Sequence, residues 1–251
     1  MIDHLVHTDF KVVDKREGLN EVMGYLHGDT ERTPIITDQE RPYGVLNERG
    51  LMKTRLYIRE HVGKYTVGTG TLDARASVSE AIKFFANTPV AYAPVMESGR
   101  LVGYVAALDL LDEVKEGPGA VHLMDEVPIL KETQSAGEAL HHLRETKAGI
   151  IPVVDEAGRL AGVIDRRSII PISIYREDTS GHIPAGGERE HLVDIEIRGL
   201  MSTDLSIVRP DASFEEVKAA LKGHGFCVVE HEGRPLGVIL PAQALQKVAR
   251  K

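Results

Sequence analysis

The sequence has no tryptophan, only 5% aromatic residues and a single cysteine, so its cores must be built mainly from aliphatic side chains. One cysteine excludes an intrachain disulfide and fits a reducing compartment. No apolar run approaches the roughly 20 residues that a membrane helix needs. The start, MIDHLVHTDF, carries acid and lacks the apolar core of a signal peptide. We therefore expect a cytoplasmic protein with no membrane partner.

Basic residues are also in the minority, with 30 Lys and Arg against 38 Asp and Glu. The formal net charge of −8 argues against a broad surface that neutralises phosphates, and hence against nucleic acid as a partner. A local basic pocket remains compatible with this charge.

One line of sequence occurs four times in similar form. It reads TPIITDQERPYGVL from Thr33, APVMESGRLVGYV from Ala93, IIPVVDEAGRLAGVI from Ile150 and FCVVEHEGRPLGVI from Phe226. Two runs rich in Val and Ile flank a polar turn, which predicts two buried strands joined by a hairpin. Each second run contains a glycine, at intervals of 59, 59 and 75 residues: Gly44, Gly103, Gly162 and Gly237.

A helix signature precedes each line. In three copies a serine is followed three residues later by a glutamate, beginning at Ser77, Ser135 and Ser213. This is a capping box, in which the hydroxyl and the carboxylate satisfy free N–H groups of the first turn. The first copy has Gly18 at this position, so its cap should be weaker. A short strand before each helix and a second helix after each glycine strand complete a strand-helix-strand-strand-helix unit.

Four phased copies of this unit, which cover nearly the whole chain, resemble the CBS domain. The resemblance implies an α/β (α+β) fold in which CBS motifs pair through their sheets into two Bateman modules. The predicted motifs are residues 1–58, 59–117, 118–174 and 195–251, with an insertion or linker at 175–194. We expect motif one to pair with motif two and motif three with motif four. The modules should form a disc, within one chain or with a second chain.

The resemblance also implies a function. Family members of this type bind adenosine-containing ligands in clefts between paired motifs and report metabolite status to a partner. With no catalytic domain left over, we expect a non-enzymatic regulatory protein without a cofactor, whose regulatory ligand is an adenine nucleotide or S-adenosylmethionine. The expected partners are an unknown protein effector and further CBS modules in self-association. The alternative is a scaffold or interaction module whose clefts have degenerated.

The family's nucleotide-binding pattern after the glycine is G-h-h-T/S-x-x-D, and no copy keeps it in full. Copy two, GYVAALD, retains Asp109 at the ribose-binding position but has Ala106 in place of the hydroxyl residue. Asp109 could equally be a solvated acid favoured by the helix dipole. Copies one and four depart furthest, with Asn47 and Gly50, and Leu240 and Gln243, at the two positions.

Copy three, GVIDRRS, has Asp165 and Ser168 at the two positions in exchanged order. Arg166 and Arg167 between them suit phosphate, although a salt bridge with a local acid is an open alternative. The segments before the hairpins would offer backbone to an adenine edge in this family, and Thr71 completes the candidate set. Those segment residues are Ala91, Tyr92 and Ala93 in copy two and Ala148 and Gly149 in copy three. Cys227, on a buried strand, is expected to be inert.

Overall fold

The computed structural model describes residues 1–27, 33–53, 56–57, 59–88, 90–175 and 192–250. Within these ranges the chain is an α+β fold of short helices and small sheets. Most of the predicted insertion at 175–194 lies outside the described residues, and the motif boundaries remain a prediction.

Motif one is the unit that carries Gly44. A 3-10 helix, Asp3–Leu5, precedes it, and a second 3-10 helix, Leu19–Val22, runs directly into its first α-helix. Its other elements are β1 Phe10–Asp14, α1 Met23–His27, β2 Thr33–Asp38, β3 Arg41–Leu46, α2 Glu48–Lys53 and β4 Leu56–Tyr57.

Motif two begins with a 3-10 helix, Val62–Tyr65. Its strands and helices then follow the predicted order: β5 Thr66–Val67, β6 Leu72–Asp73, α3 Val78–Asn87, β7 Tyr92–Glu97, β8 Arg100–Ala106 and α4 Ala107–Asp112.

Motifs three and four repeat the same plan. Motif three contains α5 Ala120–Leu123, β9 Leu130–Lys131, α6 Ala136–Glu145, β10 Ile150–Val154, β11 Leu160–Asp165, α7 Arg166–Ile169, a 3-10 helix Pro171–Ser173 and β12 Ile174–Tyr175. Motif four contains a 3-10 helix Ile197–Gly199, β13 Ile207–Val208, α8 Phe214–His224, β14 Cys227–His231, β15 Arg234–Ile239 and α9 Pro241–Ala249.

The predicted caps form at the helix starts. Ser77, Ser135 and Ser213 each accept a hydrogen bond from the backbone N–H of the glutamate three residues on, and each glutamate reaches back to the serine N–H. Gly18 offers no side-chain hydrogen bond, and the chain after it forms a 3-10 turn before α1. The weaker cap predicted for copy one is therefore confirmed.

Each motif has a small sheet whose first strand runs parallel to its second and whose second strand is antiparallel to its third. The sheet orders are β1-β2-β3-β5, β6-β7-β8, β9-β10-β11 and β13-β14-β15. A helix joins each parallel pair, because parallel neighbours need a crossover rather than a tight turn.

The four aligned glycines lie where the start of one motif crosses the last strand of its partner. The residue after each glycine pairs with that crossing segment: Val45 with Val67, Tyr104 with His7, Val163 with Ser202 and Val238 with Asp125. A Cβ at Gly44 would lie 2.0 Å from the Val67 carbonyl oxygen, and one at Gly103 would lie 2.1 Å from that of His7. Glycine is required here because another backbone occupies the space of a side chain. These crossing segments join motif one with motif two and motif three with motif four, as predicted.

Helices join the two modules to each other within the chain. One core contains buried side chains from the helices of motifs two and four, and a second contains those from motifs one and three. Representative members are Phe85, Leu110 and Leu221 in the first, and Leu26, Leu140 and Ile169 in the second. A smaller cluster that includes Ile150 and Val228 lies between the sheets of motifs three and four. Each motif thus contacts one motif through its sheet and another through its helices, which closes a ring of four.

Candidate functional site

Asp109 lies in the first turn of α4 and is already engaged by the chain itself. Its carboxylate accepts a hydrogen bond from the backbone N–H of Ala106 at 3.0 Å and contacts Nε2 of His7 at 2.8 Å. The His7 ring also stacks on Tyr104, with ring centroids 4.9 Å apart. The carboxylate is 24% exposed and the imidazole 46%. The N-terminal segment therefore places a ring against the carboxylate predicted to hold the ribose.

The segment before the hairpin of motif two is largely buried. Ala93 is inaccessible, and the neighbouring Tyr92 hydroxyl donates to the carbonyl of Pro34 at 2.9 Å. Ala91 is exposed, and its carbonyl accepts a backbone hydrogen bond of 2.8 Å from the start of α4. Thr71 is exposed just before β6. Tyr92 therefore joins motif two to motif one across the sheet interface.

Asp165 and Ser168 form one local hydrogen-bonded pair at the start of α7. The Asp165 carboxylate accepts from the backbone N–H of Ser168 at 2.8 Å and from its hydroxyl at 2.7 Å. The exchanged order of acid and hydroxyl thus keeps a capped helix start.

Arg166 turns toward the loop that precedes β10. One of its terminal nitrogens donates to the carbonyl of Thr146 at 2.8 Å, while its buried Nε has no hydrogen-bond partner among the described residues. Gly149 adopts a left-handed φ of 74°, and a Cβ there would lie 2.6 Å from Nη1 of Arg166. Burial, and after it the neighbouring charge of Arg49, lowers the pKa of Arg166, which Glu48 opposes. The guanidinium still remains charged at neutral pH.

Gln243 reaches the same loop from motif four. It stands six residues after Gly237, the position that Asp109 holds after Gly103. Its amide nitrogen lies 3.5 Å from the carbonyl of Lys147, and its buried Oε1 is without a partner in the part of the chain that the structure describes. Gln243 and Arg166, each of which has one buried atom without a partner among the described residues, therefore contact one loop from the two motifs of module two.

Arginines also cover the carboxyl end of α6, where helical carbonyls lack partners inside the helix. Arg49 of motif one donates to the carbonyls of Arg144 at 3.0 Å and Glu145 at 3.3 Å. In return, Nε of Arg144 donates to the carbonyl of Met52, near the end of α2. These reciprocal caps fix α2 of motif one against α6 of motif three. Arg166 contacts this helix end as well, because Thr146 follows α6 directly. Capping α6 is therefore the structural alternative to ligand binding for Arg166.

Arg167 points away from module two and contacts motif one. Its Nε lies 3.1 Å from a carboxylate oxygen of Glu48, and its guanidinium rests over the Tyr25 ring, 4.3 Å from the centroid. It also donates to the Tyr25 hydroxyl. Burial, with the Glu48 charge as the second cause, raises the pKa of Tyr25 to about 12, so its hydroxyl stays protonated. Of the two roles considered for Arg167, phosphate binding and a salt bridge, the structure shows the salt bridge.

Cys227 is fully buried on β14, and burial raises the pKa of its thiol to about 12. The thiolate that a nucleophile or a metal ligand would need is therefore disfavoured at neutral pH.

Gln243, beside the loop after α6, and His7, beside Asp109, were not among the predicted site residues. Gln243 carried a detectable signal, since it aligns with Asp109 relative to the repeat glycine. His7 carried none, because only the crossing of the N-terminal segment over β8 brings it to Asp109.

The fold defines a tandem repeat protein made of two paired modules. The chain belongs to the CBS domain family, whose family model matches residues 69–116, 120–174 and 196–249. These three regions correspond to motifs two, three and four. Motif one shows the same order of elements in the structure.

Curated relatives match parts of the chain. Inosine-5'-monophosphate dehydrogenase from Mycobacterium tuberculosis (strain ATCC 25618 / H37Rv) is 29% identical over 118 residues, which are 45% of this chain and 22% of the relative. The CBS domain-containing protein MJ0729 from Methanocaldococcus jannaschii is 34% identical over 76 residues, which are 29% of this chain and 61% of the relative. The chain thus spans about a fifth of the dehydrogenase that it matches.

Solved structures match over nearly the full length. Protein MJ1225 from Methanocaldococcus jannaschii, proposed as an archaeal homologue of g-AMPK, superposes with a TM-score of 0.74 at 16% identity and covers 97% of this chain and 98% of its own. An uncharacterized conserved protein from Pyrococcus horikoshii superposes with a TM-score of 0.61 at 15% identity, over 98% and 99%. At these identities the likeness establishes the fold.

Among the helices that the structure describes, none combines the length and the apolar character required to cross a membrane.

Proposed function

We propose that this chain is a non-enzymatic regulatory protein that binds an adenosine-containing ligand in the cleft of module two. The observation that carries the proposal is the pair of buried polar atoms without partners, Nε of Arg166 and Oε1 of Gln243, beside one loop. A buried polar group without a partner costs about 1–3 kcal/mol, which a ligand with complementary groups recovers on binding.

The chemistry of the two groups indicates which parts of the ligand they bind. The guanidinium of Arg166 suits a phosphate, and the amide oxygen of Gln243 accepts from a ribose hydroxyl. The backbone of Ala148 and Gly149 borders the same loop and would face the adenine edge. We therefore favour AMP, ADP or ATP over S-adenosylmethionine, whose carboxylate carries less negative charge than a phosphate.

The similarity of the whole fold to MJ1225, itself proposed as an archaeal homologue of g-AMPK, supports a regulatory role. The match to the dehydrogenase covers 22% of that protein's length, so the proposal does not draw on its enzymatic activity. A protein effector that reads the ligand state, and a cytoplasmic location, complete the proposal.

Calorimetry with AMP, ADP, ATP and S-adenosylmethionine tests the proposed function, with CMP as the control for adenine. We expect one site per chain that prefers the adenine nucleotides. A hundredfold excess of ligand over its Kd should also stabilise the fold by about 2.7 kcal/mol. Absence of binding by every adenosine compound would instead favour the alternative, a scaffold with degenerate clefts.

The cleft of module one offers a second site only once His7 leaves Asp109. We predict that His7→Ala raises the number of adenosine sites from one to two, because it frees a charged acceptor for the ribose hydroxyls. Asp109→Ala in the same background should remove the second site, since a hydrogen bond to a charged group contributes about 1.5–3 kcal/mol. Calorimetric stoichiometry measures both changes. A stoichiometry of one in all three proteins would show that Asp109 does not bind the ligand.

A further inference from the structure

Motif one differs from the other three motifs in its first strand. β1 spans five residues, whereas β6, β9 and β13 span two each. β1 also forms the edge of its sheet, with β2 on one side and no described strand on the other. A long edge strand presents a row of backbone groups with which another chain can pair.

The hydrogen-bond pattern shows which groups of β1 face outward. The N–H of Lys15 donates to the carbonyl of Thr37 on β2 at 2.8 Å. By alternation along the strand, the N–H groups of Lys11 and Val13 also face β2, and those of Phe10 and Val12 face the outer edge. Asp14, next in the outward series, donates its N–H to the Glu17 carboxylate at 3.3 Å. The outward groups of Phe10 and Val12 are therefore placed for pairing.

A groove of about 400 Å³ lies beside this edge. The residues of β1 that share one face, Phe10, Val12 and Asp14, form part of it. Its remaining lining is Glu17, Thr37, Glu40 and Leu101. Val12 is 50% exposed although it is apolar. The groove therefore combines an apolar floor with a carboxylate rim.

The charges around the groove are unequal. Asp14 is neutralised by Arg16, whose two nitrogens lie 2.7 and 3.0 Å from its carboxylate oxygens, and hydrogen bonds from Arg16 lower the pKa of Asp14. Glu17 and Glu40 add two further negative charges in a chain of net charge −8. A basic occupant is thus favoured, and a second copy of this acidic chain is disfavoured.

The usual protection of an edge strand is weakened here. A lysine on an edge strand commonly blocks further pairing. Lys11 instead folds back onto motif one, where its ammonium donates to the carbonyl of Glu21 at 2.7 Å and to its carboxylate at 2.8 Å. The ammonium is therefore held away from the outer edge.

We propose that β1 is a docking strand for a protein partner that adds an extended segment of alternating basic and apolar residues to this edge. Backbone pairing with Phe10 and Val12 supplies affinity. Side chains on the groove face supply specificity, because the basic residues at alternate positions of the added strand point to Glu17 and Glu40 while their aliphatic stems cover the apolar floor. This surface is separate from the ligand cleft of module two, so the two proposals can fail independently.

A labelled octapeptide, Lys-Val-Lys-Thr-Lys-Val-Lys-Thr, tests the docking strand by fluorescence anisotropy with the full chain at low salt. Val12→Pro removes an outward N–H without removing a β2 hydrogen bond, and Glu40→Lys reverses one rim charge. We expect each to weaken binding about tenfold, the effect of roughly 1.4 kcal/mol. Glu232→Lys is the matched control, because Glu232 occupies the hairpin turn of motif four with a similar positive φ, and it should leave binding unchanged.

Circular dichroism and thermal melting establish that each variant is folded, and Glu40→Lys provides the test if Val12→Pro is not. The proposal is overturned if the octapeptide does not bind, or if wild type, Glu40→Lys and Glu232→Lys bind it equally. A dimer in sedimentation that Glu40→Lys strengthens would also overturn it, in favour of a second copy as the occupant.

Discussion

Gly103→Ala is expected to displace the N-terminal segment from motif two and to lower the free energy of unfolding by about 2–3 kcal/mol. The added methyl would lie 2.1 Å from the carbonyl oxygen of His7 and 2.7 Å from a methyl group of Val6, so the crossing segment must move. That movement breaks the two backbone hydrogen bonds between His7 and Tyr104, of 2.8 and 3.0 Å, and exposes the buried Ile2. Thermal melting should show a decrease in Tm of about 4–12 °C.

The other repeat glycines allow a graded comparison. At Gly162 and Gly237 the closest atom to an added Cβ is 2.7 and 2.6 Å away, so substitution there should be less severe than at Gly44 or Gly103. Gly199→Ala serves as the control, because a Cβ at this position meets nothing within 4 Å. Equal melting temperatures for Gly103→Ala and Gly199→Ala would contradict the role assigned to the crossing segment.

Arg166→Ala is expected to weaken the binding of AMP by about ten- to a hundredfold, because it removes the cation assigned to the phosphate. Isothermal titration measures this change. Arg166 also donates to the loop after α6, so its loss could lower affinity indirectly. Arg49→Ala separates the two causes, since Arg49 caps the same helix end but leaves the proposed phosphate donor in place. It should reduce stability and leave the affinity within about threefold.

Gln243→Ala provides a second, more selective readout. If the amide oxygen accepts from the 2′-hydroxyl, this substitution should weaken the binding of AMP but have little effect on the binding of its 2′-deoxy analogue. If Arg49→Ala weakens the binding of AMP as much as Arg166→Ala does, Arg166 acts on the loop and not on the ligand.

Local features could be predicted because they depend on residues close together in the sequence. The capping boxes at Ser77, Ser135 and Ser213 form as expected, since the hydroxyl and the carboxylate that make each box are three residues apart. Strand-helix order followed from the same periodic patterns. The pairing of motifs followed from the resemblance to a family and not from a physical property of any single residue.

The candidate site was predictable only in part. Asp109 was selected by its position after the repeat glycine and Arg166 as a cation beside Asp165, and the structure places them in different modules. Their hydrogen-bond partners could not be predicted, because His7 lies 102 residues from Asp109 and the loop carbonyl of Thr146 lies 20 residues from Arg166. Arg167, adjacent to Arg166, binds Glu48 of another motif, since successive residues of a helix point in different directions.

The sequence by itself determined the repeat, the helix caps and the recurrence of a glycine at four equivalent positions. The tertiary structure shows why glycine is needed at these positions: the carbonyl that a Cβ would clash with belongs to the start of the partner motif. It also decided that both modules pack together within one chain, with the helices of motif one on those of motif three and the helices of motif two on those of motif four. The pattern of an amphipathic helix shows which face is apolar but does not specify which other helix that face packs against. The faces that meet are selected by the fit of the buried side chains together with contacts such as the reciprocal caps of Arg49 and Arg144 and the ion pairs of Arg167 with Glu48 and of Lys222 with Asp112.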